Sequence, residues 1–526
     1  MSLSNTNHSQ LEKFLKQRRE NDFDGPDRPI DGENLAELNF RVDQKHHHVN
    51  PFEEMDWENN PIDEWAFIET KPNRMDLGVS ETLFALSNGY LGMRGNPEEG
   101  RDSSKHGTFI NGVHETWNIQ HAEDAYGLAR AGQGIVSVPD GKPMRLYIDD
   151  EPLRLGNAEV TDYRRSLDFR EGILRREMVW RTPSGKHVRV TSERMVSFQE
   201  RHLAIMSLEV ELLDDDAAVV ISSQLLNRED GEGEFPDNNA REAAEEGFDP
   251  RRGEEFVERV FIPKYQSQPE PERATLGFQI NHSGMTVAAS MDHVLDMSNP
   301  ESAEDSGVEV STRVEEDVAS VAYHVNGKKG LKLRLEKFVS YHSSRHVAPQ
   351  ELGFRCARTI NRAKSVGFRN LAINQAEWLA RFWERSDVKI GGKPAVQQAV
   401  RWNLFQLIQA SARAETSGIP AKGMTGAGYG GHYFWDTEVY MLPFLSYTNP
   451  VFARNALRFR YDMLPAAKQR ALELAHDGVL FPWRTINGQE SSAYYAAGTA
   501  QYHIDADIAF ALMKYVHATG DTDFLL

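Results

Sequence analysis

Two periodicities of apolar residues divide the chain. Between about residues 61 and 345, short runs alternate apolar with polar side chains, which is the period-two pattern of half-buried strands. Clear examples are the segments 175–198, 202–213 and 217–226. The first of them is interrupted by the turn-forming residues 182–185, which predict a hairpin. Many short strands joined by turns, without interleaved helical repeats, indicate an antiparallel sandwich or barrel, and of the two we predict an N-terminal antiparallel β-sandwich over 61–345.

From about residue 349 the apolar spacing changes to three and four residues. Leu371, Trp378 and Phe382 recur at helical intervals, and similar stripes continue toward the end of the chain. This change predicts a helical linker over 346–393 and an all-α domain over 394–526. The fold class expected from the pattern is therefore β followed by α in a multidomain chain.

Two polar regions interrupt these patterns. Residues 1–60 are poor in apolar periodicity and predict a polar N-terminal arm, in which the histidines at 46–48 are interpreted as part of a polar loop and not as a metal site. The charged stretch 227–273 is interpreted as a surface excursion between strands, with a short helix at 239–246.

Composition narrows the classes of function. The chain has 526 residues and a formal net charge of −20, which argues against nucleic acid or an anionic membrane as the main partner. No apolar run approaches 18 residues, and the polar N-terminus has no secretory apolar region, so we expect a cytoplasmic protein. Cys356 is the single cysteine, which leaves no intrachain disulfide and no cysteine-based zinc cluster.

The glycine-rich segment 421–445 is a candidate sugar site. Small, flexible residues precede His432, Trp435, Asp436 and Glu438. An indole ring can stack on the apolar face of a sugar while a neighbouring carboxylate accepts hydrogen bonds from its hydroxyls. The alternative is a buried tryptophan followed by an aspartate that caps a helix.

The segment 478–510 is the second candidate. It contains Trp483, Arg484, Glu490, Gln501 and His503 in a long loop that runs into a helix. Binding residues concentrate on loops that a rigid scaffold holds. Each of these residues alone could equally be a helix cap or a satisfied polar group of the core.

Several long motifs now support a family resemblance. The motifs are ETLFALSNGYLGMRGNPEEG at 81–100, GTFINGVHE at 107–115, GYGGHYFWDTEVYMLPF at 428–444, GVLFPWRTINGQESSAYYAAGTAQYHIDADIA at 478–509 and YVHATGDTDFL at 515–525. In this order they resemble glycoside hydrolase family 65, the maltose, trehalose and kojibiose phosphorylases. The resemblance implies an N-terminal β-sandwich, a helical linker and an (α/α)6 barrel. About four helical segments follow residue 394, against twelve in such a barrel, so we expect an incomplete barrel in a chain that has been cut.

The resemblance also implies a reaction, namely inverting phosphorolysis of an α-glucosidic disaccharide of the trehalose, maltose or kojibiose type. Inorganic phosphate attacks the anomeric carbon and a carboxylic acid protonates the departing oxygen, giving β-glucose 1-phosphate without a metal or other cofactor. Alternatives are an inverting hydrolase, which needs a second carboxylate to activate water, or an inactive sugar-binding relative. The family also implies a homodimer.

The position of the family's general acid raises a question. Family members carry it in a Glu-X-His pattern, and here that position reads Gln501-Tyr502-His503. A glutamine amide has no proton of suitable acidity. The catalytic candidates are therefore Gln501 as the family's position, Glu490 as the nearest carboxyl of the same loop, and His503. The substrate-binding candidates are His432, Trp435, Asp436, Glu438, Trp483 and Arg484.

Overall fold

Strands occupy the first part of the chain and helices the second. The computed structural model describes residues 56, 58–73, 76–100, 103–119, 121, 126–228, 259–298, 307–492 and 501–525. The histidines at 46–48, the helix expected at 239–246 and nearly all of the N-terminal arm lie outside these residues. The expected order, a sheet-rich part followed by a helical part, is confirmed.

The sheet-rich part contains eighteen described strands, and all their described pairings are antiparallel. The bounds are β1 Ala66–Glu69, β2 Leu86–Ser87, β3 Leu91–Met93, β4 Thr108–Asn118, β5 Ala131–Ser137, β6 Met144–Ile148, β7 Glu151–Pro152, β8 Glu159–Asp168, β9 Ile173–Arg181, β10 His187–Val196, β11 Leu203–Leu212, β12 Ala217–Leu226, β13 Phe261–Glu270, β14 Arg273–Ile280, β15 Thr286–Ser298, β16 Val308–Val314, β17 Val318–Gly327 and β18 Lys332–Ser343.

These strands form three sheets. One sheet has the order β1-β8-β9-β10-β11-β18-β15-β14-β13, a second has the order β16-β17-β12-β6-β7, and a third has the order β2-β3-β4-β5. Alternate residues of the first two sheets are buried in one shared core, represented by Trp180 and Val190 on one sheet and Ile221 and Tyr323 on the other. The period-two pattern in the sequence thus corresponds to side chains that are buried in the core between these two sheets.

One strand departs from the expectation. Part of the stretch interpreted as a surface excursion, 227–273, forms β13 at the edge of the nine-stranded sheet. Most of its side chains are exposed, so it carries no apolar alternation that could identify it in the sequence. Pro263 is compatible with this place because an edge strand leaves some backbone groups unpaired.

The helices are α1 Leu77–Leu83, α2 Leu352–Val366, α3 Phe368–Ser386, α4 Pro394–Ser411, α5 Leu442–Thr448, α6 Pro450–Asp462, α7 Leu464–Glu473 and α8 His503–Thr519. The sequence did not predict α1, a short helix capped by the Asp76 carboxylate, which accepts a hydrogen bond from the Val79 amide at 3.0 Å. Gly520 ends α8 in a left-handed conformation with φ of 73°, as expected from its position. None of the described helices combines the length and apolar character that a membrane crossing requires.

A paired network of charges lies inside the sheet-rich part. The Glu98 carboxylate accepts hydrogen bonds from Arg194 at 2.7 Å and from the Ser192 hydroxyl at 3.0 Å, and it lies 3.2 Å from the Arg176 guanidinium. Arg176 also donates to Glu99 at 2.9 Å. All of these side chains are buried, so each charge has its partner inside the protein.

Candidate functional site

Two loops of the helical part meet at the candidate site. They are the glycine loop, residues 421–436, and residues 478–492, called the catalytic loop here because they contain the catalytic candidate Glu490 predicted from the sequence. The Tyr433 amide donates to the Thr485 carbonyl at 2.9 Å and forms an isolated antiparallel bridge. The Tyr433 hydroxyl donates to Asn111 Oδ1 on β4 at 2.7 Å. The two stretches singled out from the sequence are therefore neighbours. The hydrogen bond to Asn111 also attaches Tyr433 to the sheet-rich part.

Glycines allow the glycine loop to turn tightly before Trp435. Gly430 and Gly431 have φ of 62° and 69°, in the left-handed region that glycine adopts without strain. A Cβ atom at Gly431 would lie 2.6 Å from the Cβ of Ile135 on β5, so no larger residue fits there. After Trp435 the chain enters a π-helical turn, Thr437–Met441, and continues into α5.

Trp435 contacts His503, which in turn contacts Gln501. The half-buried indole meets the His503 ring edge-on, with 5.0 Å between ring centroids. His503 Nδ1 is 2.7 Å from Asp507 Oδ2, and its Nε2 is 3.0 Å from Gln501 Oε1. The structure thus brings three of the predicted residues into one group, with Asp507 as an additional member.

The two acidic candidates that follow Trp435, Asp436 and Glu438, have different environments. Asp436 is exposed. Glu438 is buried, and its two carboxylate oxygens accept hydrogen bonds from Arg460 at 2.6 and 3.0 Å. Arg460 also donates to the Phe434 carbonyl at 3.1 Å. Glu438 therefore anchors the start of the π-helical turn, whereas the Asp436 carboxylate is open to solvent.

His432 and Arg484 form a second contact between the loops. The Arg484 side chain donates to His432 Nδ1, with Nε at 2.8 Å and Nη2 at 2.6 Å. Burial, reinforced by the Arg484 charge, lowers the pKa of His432 to about 3. The imidazole is therefore neutral at physiological pH, and its Nδ1 acts as the acceptor.

Glu490 is the buried carboxyl of the catalytic loop. Its Oε2 accepts a hydrogen bond from the Trp483 amide at 2.6 Å, and its Oε1 accepts one from the Ser492 amide at 2.9 Å. Burial raises the pKa of Glu490 to about 7, against the opposing effect of these amides and of Arg470. Near neutral pH this group can therefore hold a proton or release it, as a general acid must.

A buried apolar cluster connects these groups. Its members are Tyr433, Phe459, Met463, Ala467, Phe481, Ile486 and Ile504, and the half-buried Trp435 and Trp483 pack against it. The Trp483 ring also meets Phe434 edge-on, with 5.5 Å between centroids. Two of the predicted residues thus pack against one cluster: Trp435, which contacts His503 and through it Gln501, and Trp483, whose amide donates to Glu490.

Sequence reasoning missed two buried residues that organise this region. Arg460 lies on α6 together with two other arginines, Arg454 and Arg458, so no sequence signal distinguishes it. Gln133 on β5 accepts and donates hydrogen bonds to the catalytic loop, but it lies more than 350 positions away and between two glycines. No three His, Cys, Asp or Glu side chains group as metal ligands within the described part of the chain.

Comparison with known proteins identifies the family to which the two parts of the chain are similar. Residues 67–382 match the family described as Glycosyl hydrolase family 65, N-terminal domain, and residues 401–526 match its central catalytic domain. An uncharacterized glycosyl hydrolase of Mycobacterium tuberculosis is 41% identical, covering 88% of this chain and 56% of the relative. The α,α-trehalose phosphorylase of Thermoanaerobacter brockii is 38% identical, with 88% and 58% covered. The kojibiose phosphorylase of Escherichia coli is 28% identical, with 84% and 55% covered.

A solved structure shows the same fold. It is described as a kojibiose phosphorylase candidate from the human microbiome and superposes with a TM-score of 0.77 at 22% identity, covering 89% of this chain and 58% of that one. The chain thus spans somewhat more than half the length of the relatives that it matches. Two consecutive domains of one family account for residues 67–382 and 401–526, and the chain belongs to glycosyl hydrolase family 65.

Proposed function

We propose that the protein catalyses inverting phosphorolysis of an α-glucosidic disaccharide. The observation that carries the proposal is Glu490, a buried carboxyl with a pKa near 7 on a loop with Trp483 and Arg484. A phosphate oxygen attacks the anomeric carbon from the face opposite the leaving group, and the glycosidic carbon–oxygen bond breaks. The Glu490 proton passes to the departing oxygen, which yields β-glucose 1-phosphate and a free sugar.

The proposed glucose site uses Trp435 and Asp436. The half-buried indole offers a face for the sugar ring, and the exposed carboxylate beside it is free to accept hydroxyl hydrogen bonds. His432, Trp483 and Arg484 extend the binding surface in the proposal. Glu438 contributes indirectly, because its pairing with Arg460 holds the turn that follows Asp436.

Gln501 has a different role in this proposal. Its amide cannot donate a proton at useful acidity, and its contact with His503 supports a function in orienting that ring and the substrate beside Trp435. If Gln501 instead stands where a lost acid belongs, Gln501→Glu should raise the phosphorolytic rate and Glu490→Gln should leave it nearly unchanged. If Glu490 is the acid, Glu490→Gln removes the activity and Gln501→Glu does not restore it.

α,α-Trehalose is the first substrate to test. The relatives named trehalose phosphorylase are 38% and 33% identical to this chain, whereas those named kojibiose phosphorylase are 26–28% identical. The test incubates the protein with trehalose, with and without inorganic phosphate, and follows the products by proton NMR. Phosphate-dependent formation of the β-anomer of glucose 1-phosphate supports the proposal. Glucose release without phosphate indicates a hydrolase, and binding without turnover indicates the inactive relative that Gln501 favours.

We also propose that the helical part belongs to an (α/α)6 barrel that these helices alone do not complete. Large apolar side chains are exposed on α5, α6, α8 and the preceding turn, namely Tyr440, Tyr447, Val451, Phe510 and Met513. Exposed large apolar side chains on neighbouring helices favour packing against further helices, and the relatives are longer than this chain. Strong binding of a hydrophobic dye by the 526-residue chain is expected. A protease-resistant monomer without dye binding would contradict it.

A further inference from the structure

Gln133 of the sheet-rich part holds the tip of the catalytic loop. Its Oε1 accepts hydrogen bonds from the Ile486 amide at 2.7 Å and the Asn487 amide at 3.2 Å. Its Nε2 donates to Asn487 Oδ1 at 2.9 Å and, at 3.5 Å, to the Gln489 carbonyl. A glutamine amide has two lone pairs and two protons, so these contacts use its whole capacity. Gln133 is only 1% exposed, so water does not compete for these bonds.

The opposite end of the same loop carries the proposed chemistry. The Ser491 amide donates to the Arg484 carbonyl at 3.0 Å and closes the base of the loop. Glu490 is held at this base through the amides of Trp483 and Ser492. Within the loop, the tip has two further bonds, from the Gly488 amide to Thr485 Oγ1 at 2.8 Å and from the Gln489 amide to Asn487 Oδ1 at 3.0 Å. The tip and the base are continuous in residues 484–491, so a displaced tip shifts the segments that carry Trp483 and Glu490.

We propose that Gln133 is a positioning residue that fixes Glu490 and Trp483 by holding residues 486–489. The inference rests on the proposed function, in which Glu490 is the acid. Without Gln133, the amides of Ile486 and Asn487 lose their partner and the tip must open toward water to satisfy them. A displacement of about 1 Å at a reacting group costs roughly 100-fold in rate, so a hold remote from the chemistry can control it.

A matched control exists elsewhere between the sheet-rich and helical parts. Gln409 on α4 is also 1% exposed, and its Oε1 accepts a hydrogen bond from the Ser87 amide on β2 at 2.6 Å. It joins the same two parts of the protein but does not touch the catalytic loop. A substitution of Gln409 therefore shows how much stability is lost with a buried amide that does not contact the catalytic loop.

The test compares Gln133→Met, Gln133→Glu and Gln409→Met in the full-length enzyme. For Gln133→Met we expect kcat to fall about 10- to 100-fold with a smaller change in KM. The alkaline limb of the pH profile should move to lower pH, because water admitted to Glu490 removes the burial that raises its pKa. Gln133→Glu keeps an acceptor for both loop amides but loses the donor to Asn487 Oδ1 and the Gln489 carbonyl, so we expect its kcat to lie between those of the wild type and Gln133→Met. Gln409→Met should lower thermal stability by a similar amount and leave kcat and the pH profile unchanged.

A second readout does not depend on activity. Hydrogen exchange at the amides of Ile486 and Asn487 should accelerate in Gln133→Met and not in Gln409→Met. Equal kcat and equal pH profiles for the two methionine variants would overturn the positioning role. If the wild-type enzyme lacks phosphorolytic activity, the proposed function is wrong. Unchanged hydrogen exchange at Ile486 and Asn487 in Gln133→Met would independently show that Gln133 does not hold the loop.

Discussion

Two buried glutamates in this protein have opposite acid–base properties. At Glu98, inside the sheet-rich part, burial alone would raise the pKa, but the guanidinium groups of Arg194 and Arg176 lower it below its ordinary range. At Glu490, in the catalytic loop, burial raises the pKa to about 7 because backbone amides and the Arg470 charge only partly offset it. Burial is common to both sites, so the presence of a paired cation decides whether a buried carboxyl stays charged or can hold a proton near neutral pH.

The largest expected effect concerns activity. We expect Glu490→Gln to lower the rate of phosphorolysis by about 10²–10⁴-fold, which is the usual contribution of a general acid. Glu384→Gln, at an exposed carboxyl of α3, is the control and should leave the rate unchanged. Steady-state measurement of β-glucose 1-phosphate formation checks both variants. A fully active Glu490→Gln enzyme would show that Glu490 is not the general acid.

The next effect concerns stability. Glu98→Gln leaves the buried Arg194 and Arg176 without a full counter-charge, and breaking such a pair typically costs about 3–5 kcal/mol. Glu177→Gln, at an exposed position on β9, should change the free energy of unfolding by less than about 0.5 kcal/mol. Urea denaturation measures both. A loss for Glu98→Gln as small as that of the control would mean that the network does not stabilise the fold.

The pH dependence of stability should have opposite slopes at the two carboxyls. Folding raises the pKa of Glu490 from its ordinary 4.5 to about 7, so its contribution is fully present below about pH 4.5 and is lost as the pH rises through 7. Folding lowers the pKa of Glu98, so its contribution is present above about pH 4.5 and is lost on acidification. In the wild type, the ionisation of Glu490 should lower the unfolding free energy by a total of at most ~3 kcal/mol between about pH 5 and 8. This decrease should be absent in Glu490→Gln. Unfolding curves with the same slope in wild type and variant would contradict the raised pKa.

The smallest effect tests the aromatic surface beside the catalytic loop. We expect Trp435→Ala to weaken disaccharide binding by about 1.5–3 kcal/mol, or roughly 10- to 150-fold, because the half-buried ring loses its stacking surface. Trp402→Ala on α4 removes another half-buried indole that packs against the main core and should leave affinity unchanged. Calorimetric titration decides the matter. Equal affinities for the two variants would exclude Trp435 from the sugar site.

The sequence predicted the fold better than the chemical environment of the site. Alternation and helical spacing identified the sheet-rich and helical parts because they record burial on one face of an element. They missed β13, whose side chains are mostly exposed, and α1, which is only seven residues long. The glycine-rich and tryptophan-containing stretches were two separate candidates in the sequence, and the structure shows that they are neighbours. The ion pair of Glu438, the pKa of Glu490 and the contact of Gln133 depend on residues distant in sequence, so no local pattern contains them.

The link between Gln133 and Ile486 also has a consequence for how the chain reaches its native state. The two residues are 353 positions apart, and β5 leaves the ribosome long before the catalytic loop is synthesised. Domains generally fold as units during synthesis, beginning from the N-terminus. The sheet-rich part is therefore already folded when residues 484–491 emerge from the ribosome. Gln133 is then in place, and the loop forms its long-range contact without waiting for the distant partner to fold. In refolding from denaturant this temporal order is lost, so we expect the loop to become ordered more slowly than it does on the ribosome.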